Sequence, residues 1–208
     1  LYVFDGGAIL NNGIAVAYLV QHPLGTLMWE AGTIPDSMVQ TPTTARPPLL
    51  EKFNARAGQS LASQLAAIAQ SPSAVTYFAA SHYHFDHIAN AASFTASTWL
   101  VQQAEREAMF ADGPVPFGAE PSFYGPLRTA KTRILHGDHD VFGDGTVVLM
   151  AAPGHTPGHQ VLFVKLPRTG PVLLSGDVYH NPSERNAPLD TVPPMDTHKD
   201  QSKATRTR

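Results

Sequence analysis

Ala74-Val75-Thr76-Tyr77-Phe78-Ala79-Ala80, followed by Ser81-His82-Tyr83-His84-Phe85-Asp86-His87, is the stretch on which the reading of this chain turns. The first seven residues form a short apolar run and predict a buried strand. The next seven place three imidazoles and a carboxylate in the loop at that strand's C-terminal end. In a turning loop His82 and His84 can point to one side, and Asp86 and His87 follow where a helix over 88–94 would begin. Zinc and similar borderline cations prefer neutral imidazole nitrogen and carboxylate oxygen, so four such groups in one loop can start two adjacent sites. Taken singly, any of the chain's ten histidines reads as a satisfied core or surface residue, and Asp86 as a helix cap. The spacing favours the metal site over four separate roles.

Two later segments extend the pattern. Thr146 to Ala152 is another strand-like run, and it empties into Pro153-Gly154-His155-Thr156-Pro157-Gly158-His159, whose prolines and glycines make a preset loop that can aim His155 at a fixed point. Pro171 to Ser175 is a third apolar run, ending in Gly176-Asp177. Three predicted strands thus each end in a potential ligand.

In this order, His-x-His-x-Asp-His, Pro-Gly-His-Thr-Pro-Gly-His and Ser-Gly-Asp resemble the signature of the metallo-β-lactamase-fold hydrolases, from Val3 to about Thr191. The resemblance implies an α/β fold, an αββα sandwich, with the site at the rim between its sheets. It also implies that His82, His84 and His155 hold one metal, Asp86 and His87 a second, and that Asp177 bridges them. His159 falls at a supporting position and is not expected to be a ligand. Two divalent ions, zinc first with iron, manganese or cobalt as alternatives, would hold a hydroxide as nucleophile by lowering the pKa of water from about 15.7 towards 7. Asp86 would orient it and pass a proton to the leaving group.

Composition agrees with one enzyme domain over 1–208: 208 residues, 43% hydrophobic, enough to bury a sizeable core. A formal charge of −3 gives no basic surface for nucleic acid. No apolar run approaches the 18 or so residues that span a bilayer. The chain has no Cys, which suits reducing and oxidising compartments alike, so cytoplasm and periplasm both stay open for a soluble enzyme. The family resemblance implies a small-molecule lactone or ester as partner, and a homodimer is also open.

Ile14 to Val20 and Thr26 to Glu30 read as a hairpin turned by Pro23 and Gly25. Gly58 to Ala69 places Leu61, Leu65 and Ile68 on one helical face, and Gln102 to Phe110 is a second helical stretch. Val161 to Leu166 is a strand, turned by 167–170 into the one ending at Asp177. The alternation points to a layered α/β arrangement. Two Pro-rich segments, Thr33 to Asn54 and Asp112 to Arg128, are expected as long loops. In the second, Phe117, Phe123 and Tyr124 either line an apolar groove for a substituent or cover a core edge.

Within the superfamily, the opening Leu1-Tyr2-Val3-Phe4-Asp5-Gly6-Gly7, the long insertion before the first helix, and Gly176-Asp177-Val178-Tyr179-His180 look most like the N-acyl homoserine lactonase group, which opens the lactone of bacterial signals. Three departures stand out. Glu30 occupies a place near the ligands where the pattern has Asp. The Tyr expected three residues beyond the bridging Asp is replaced by His180, with Tyr179 one earlier, so either side chain is a candidate donor to the developing oxyanion. The pattern also expects a later His to finish the second metal's shell. After Asp177 the chain has only His180 and His198 before Arg208, and Asp196 to Lys203 reads as the capped start of a polar surface helix. The expectation is a natural chain that continues beyond Arg208 and carries that His, or a weakly held second metal. Two other activities remain open: a thioester hydrolase of the glyoxalase II kind, and a mononuclear-iron oxidoreductase like the persulfide dioxygenases, with His82, His155 and Asp177 as its ligands.

Overall fold

The computed structural model describes residues 1–10, 13–188 and 191–208. The chain forms two compact units, residues 1–100 with 112–133, and residues 101–111 with 134–208.

The first unit opens with β1 (Tyr2–Ile9), β2 (Gly13–His22) and β3 (Gly25–Trp29), an antiparallel meander. His22 pairs with Gly25, so the turn is the two residues Pro23 and Leu24, tighter than expected. The segment after β3 is not the long loop its prolines suggested. It holds 3₁₀ turns at Asp36–Met38 and Thr43–Ala45 and then α1 (Pro48–Lys52), with Pro at a first-turn position where no amide donor is needed. α2 (Leu61–Ala67) is capped by Ser60, whose side chain accepts the Ser63 amide, and buries Leu61 and Leu65.

β4 (Tyr77–Ala79) is shorter than the run that predicted it, because Pro72–Ala74 is a 3₁₀ turn. α3 (Phe85–Ile88) starts three residues before the expected helix, and the residues meant to continue it, Ala91–Phe94, form a separate 3₁₀ turn. Burial explains the shift: Phe85 and Ile88 both face the core, which places Asp86 and His87 on the helix itself. β5 (Thr98–Gln102) runs directly into α4 (Gln103–Phe110). β3, β4 and β5 pair in parallel, so β4 lies in the middle of the sheet; Phe78 on it is fully buried and stacks on Phe94 at 5.0 Å.

The second Pro-rich segment also folds. α5 (Pro121–Tyr124) leads into a 3₁₀ turn over Gly125–Thr129. Phe123, 4% exposed, belongs to a core cluster with Ile34, Leu50, Ala55, Phe85 and Ala89, and Tyr124 is buried too. Each such burial is worth about 1.5–3 kcal/mol, so these two rings cover the core rather than line a groove. Phe117 alone of the three is exposed, at 63%. β6 (Thr132–Leu135) closes the six-stranded sheet in the order β1-β2-β3-β4-β5-β6.

The second unit is built on β7 (His139–Asp140), β8 (Val147–Ala151), β9 (Gln160–Leu166) and β10 (Gly170–Leu174), an antiparallel sheet ordered β10-β9-β8-β7. α4 belongs to this unit, as does the last helix, α6 (Lys199–Thr207). Among the described residues no helix is long and apolar enough to cross a membrane.

Candidate metal centre

In the first unit the parallel register sets the donors. Trp29 lies opposite Ala79, so β3 and β4 release the chain at the same end, where open α/β sheets place their ligands. Glu30 leaves β3 with φ 67°, and its amide donates to the Ala79 carbonyl at 3.0 Å. Its buried carboxylate accepts the Ser81 amide at 3.1 Å and stands 3.3 Å from His87 Nδ1. Ser81 Oγ lies 2.9 Å from His82 Nδ1 and 3.3 Å from His87 Nδ1. Where Nδ1 donates its proton to such an oxygen, the ring's lone pair lies on Nε2, the atom that could accept a cation.

His82, His84 and His87 form one group: the His82 ring centre is 4.4 Å from that of His84 and 4.2 Å from that of His87. Asp86 Oδ2 is 3.8 Å from His87 Nε2. His84 is backed by the chain at 117–119, since it bridges to Ala119 and meets the Phe117 ring edge-on at 6.0 Å. Gly118, at φ 74°, is a glycine of necessity, because a Cβ there would come within 2.5 Å of the His84 ring.

In the second unit, β8 leads into the loop that carries His155 and His159. A buried carboxylate on α4 holds that loop: Glu105 accepts from Thr156 Oγ1 at 3.0 and 2.8 Å and from the Gly158 amide at 2.9 Å. His155 is 3% exposed, and its Nδ1 is 2.9 Å from Asp196 Oδ1, while the Thr197 amide and hydroxyl both donate to its carbonyl. Asp196 was expected at the start of a surface helix. It is 5% exposed instead, and α6 begins after it, at Lys199. Burial pushes the Asp196 carboxyl up, but the His155 hydrogen bond and charge hold it below the usual carboxylate range.

His155 Nε2 is 3.5 Å from Asp177 Oδ2. His159 Nε2 accepts the Asp177 amide at 3.1 Å, so this ring positions Asp177 and directs its lone pair to the backbone. His180 stands beside the pair, its ring centre 5.0 Å from that of His155 and its Nε2 3.8 Å from Asp177 Oδ2. The Tyr179 ring lies under the Arg206 guanidinium at 4.8 Å and lines an apolar cavity of about 320 Å³ with Met150, Val161, Leu173 and Val178. His198 is exposed, its amide donating to the Gly154 carbonyl.

These residues fit a divalent cation. Tetrahedral zinc with bonds of about 2.1 Å sets its donors roughly 3.4 Å apart, near the His155–Asp177 spacing. The Asp196 contact supplies the carboxylate–histidine support that such ligands need. The sequence motifs name His82, His84, Asp86, His87, His155 and Asp177 as candidate ligands, and they give no sign of Asp196, Glu105 or Ser81. Only the proximity of Ser81 to the histidine motif could have marked it.

The chain belongs to the metallo-beta-lactamase superfamily, whose family model matches residues 10–207, and its mixed α/β architecture is that fold. Within it the chain is similar to N-acyl homoserine lactonases. It is 31% identical over 174 residues to N-acyl homoserine lactonase AttM of Rhizobium radiobacter, a match covering 77% of this chain and 63% of the relative. To an N-acyl homoserine lactonase of a Bacillus species it is 36% identical over 106 residues, covering 51% and 39%. The chain thus spans just under two thirds of the AttM relative's length. A crystal structure of an N-acyl homoserine lactone hydrolase with N-hexanoyl-L-homoserine at its catalytic metal centre superposes with a TM-score of 0.78 at 22% identity, covering 100% of this chain and 85% of that one. AidC, a dizinc quorum-quenching lactonase, superposes at 0.65 and 18% identity, covering 93% and 66%. At these identities the structural likeness speaks to the fold.

Proposed function

We propose that this chain is the metal-binding core of a hydrolase that opens N-acyl homoserine lactones or closely related esters. The observation that carries the reading is the way the imidazoles are held. Ser81, Glu30 and Asp196 engage Nδ1 of His82, His87 and His155, which turns three Nε2 lone pairs into donors. By the order of the superfamily motifs, His82, His84 and His155 would hold one ion and Asp86 and His87 a second, with Asp177 serving both; zinc is the proposed metal. When bound, such a pair of ions acidifies water and polarises a carbonyl oxygen.

The chain's own groups then divide the remaining work. Asp86, partly exposed beside His87, takes a proton and returns it to the leaving alkoxide. His159 keeps Asp177 in place through its amide, and Glu105 keeps the loop of His155 in place. Similarity to the AttM relatives supports a lactone as substrate.

The test combines elemental analysis with a substrate panel. Up to two divalent ions should bind, and acyl homoserine lactones should be opened with release of one acid equivalent. Asp86→Asn should lower kcat at least about 10²-fold, the scale of a positioned acid–base group. Full metal content with normal turnover in that variant would remove Asp86 from the chemistry, and faster turnover of S-lactoylglutathione than of any lactone would replace the substrate class.

A further inference from the structure

We infer that His180 is itself a metal ligand, binding through Nε2 the ion that Asp177 holds. The inference rests on the metal-centre reading above and adds a ligand which that reading does not use. The sequence pattern instead offered His180 as a donor to substrate.

The His180 side chain is 20% exposed, yet its Nε2 has essentially no contact with solvent and no hydrogen-bond partner. Leaving a buried polar nitrogen unpaired costs about 1–3 kcal/mol, so native folds seldom do it without a purpose.

The other ring nitrogen is fixed. His180 Nδ1 lies 3.3 Å from Glu184 Oε2, and the same oxygen accepts the His180 amide at 3.1 Å. Glu184 is pinned in turn by Arg206 at 3.2 Å, and Arg206 by its Nε donating to the Val178 carbonyl at 3.0 Å. A carboxylate accepting from Nδ1 selects the tautomer whose lone pair is on Nε2. His155 is held in the same manner by Asp196.

Nε2 also points where a cation would sit. It is 3.8 Å from Asp177 Oδ2, which is 3.5 Å from His155 Nε2; both spacings approach the roughly 3.4 Å between donors around a tetrahedral ion. A donor role fits less well. Donating from Nε2 needs either the other tautomer, which withdraws the proton from Glu184, or an imidazolium beside a cation, which like-charge repulsion disfavours.

The experiment titrates the metal-free protein with Co(II), reading the visible bands, which report the donor set, and the affinity against a chromophoric chelator. His180→Ala should weaken one ion about 10²-fold and change the bands. Glu184→Gln, which leaves the ring in place but loosens it, should weaken the same ion about 10-fold. Near-UV circular dichroism checks that each variant is folded. Wild-type affinity and bands in a folded His180→Ala protein would overturn the assignment, and a loss of turnover alone would return His180 to the substrate. If His180→Ala does not fold, unchanged affinity and bands in folded Glu184→Gln overturn it. A wild-type chain that takes up no Co(II) would instead sink the metal-centre reading beneath it.

Discussion

Replacing Glu105 by Ala should destabilise the chain by about 2–4 kcal/mol and weaken metal binding at the same time. Glu105 is buried on α4, and three contacts of 2.8–3.0 Å join it to the Thr156 hydroxyl and the Gly158 amide. A hydrogen bond to a charged group contributes about 1.5–3 kcal/mol, and a buried donor left unpaired costs about 1–3 kcal/mol. Ala removes both bonds and strands two donors, one of them on the fully buried Thr156; relaxation and water entry reduce the sum to the stated range. Gln keeps the shape, accepting from Gly158 with its oxygen and donating to the Thr156 hydroxyl with its amide, so Glu105→Gln should lose only about 1 kcal/mol. Urea unfolding of metal-free protein measures the first effect, and chelator competition on the folded proteins measures the second. Because the loop carries His155, Ala should lower metal affinity about 10-fold or more, the scale seen when support behind a ligand is removed. If Glu105→Ala matched wild type within about 0.5 kcal/mol, or if affinity held while stability fell, Glu105 would not be what sets the ligand loop.

Gly158→Ala should be destabilising by at least about 1–3 kcal/mol, because its Cβ would fall 2.3 Å from the Glu105 amide nitrogen, backbone that cannot swing aside; a thermal melt equal to wild type would refute this. Asp140 provides a pH signature. Burial would push its carboxyl up, but amides of Gly145, Gly143 and Phe142 override that and hold it below the usual range. A depressed carboxyl stabilises the fold above its unfolded pKa and loses that contribution as pH falls through the folded value, so the stability gap between wild type and Asp140→Asn should narrow below about pH 4. A gap that stays constant into acid would show that those amides do not favour the charged form.

What could be read in advance was whatever lies close together in sequence. The runs before His82, His155 and Asp177 are strands because each is short, apolar and punctuated by Gly or Pro, and the superfamily fold follows from their order. The ends of elements were less legible. Burial of Phe85 starts α3 early, and burial of Phe123 and Tyr124 turns a presumed loop into core; both depend on partners far along the chain. The same limit hid the groups behind the ligands. Asp196 and Glu105 look like ordinary polar residues of helical stretches until the fold brings them to His155 and Thr156.

The clamps on His155 also bear on the order in which the chain comes together. Its loop is fastened by residues 41 and 51 positions away, and Asp177 by one 18 away. Each fastening requires closure of a loop in the disordered chain, at an entropic cost that grows with the logarithm of its length, and non-local closures come late. His82, His84, Asp86 and His87 fall within six residues and need no such closure to be near one another. A cation present during folding therefore meets this cluster first, as a loose and solvated ligand. The group around Asp177 becomes a receptor only once α4 and the segment before α6 have docked, which ties tight binding of the ion to completion of the fold.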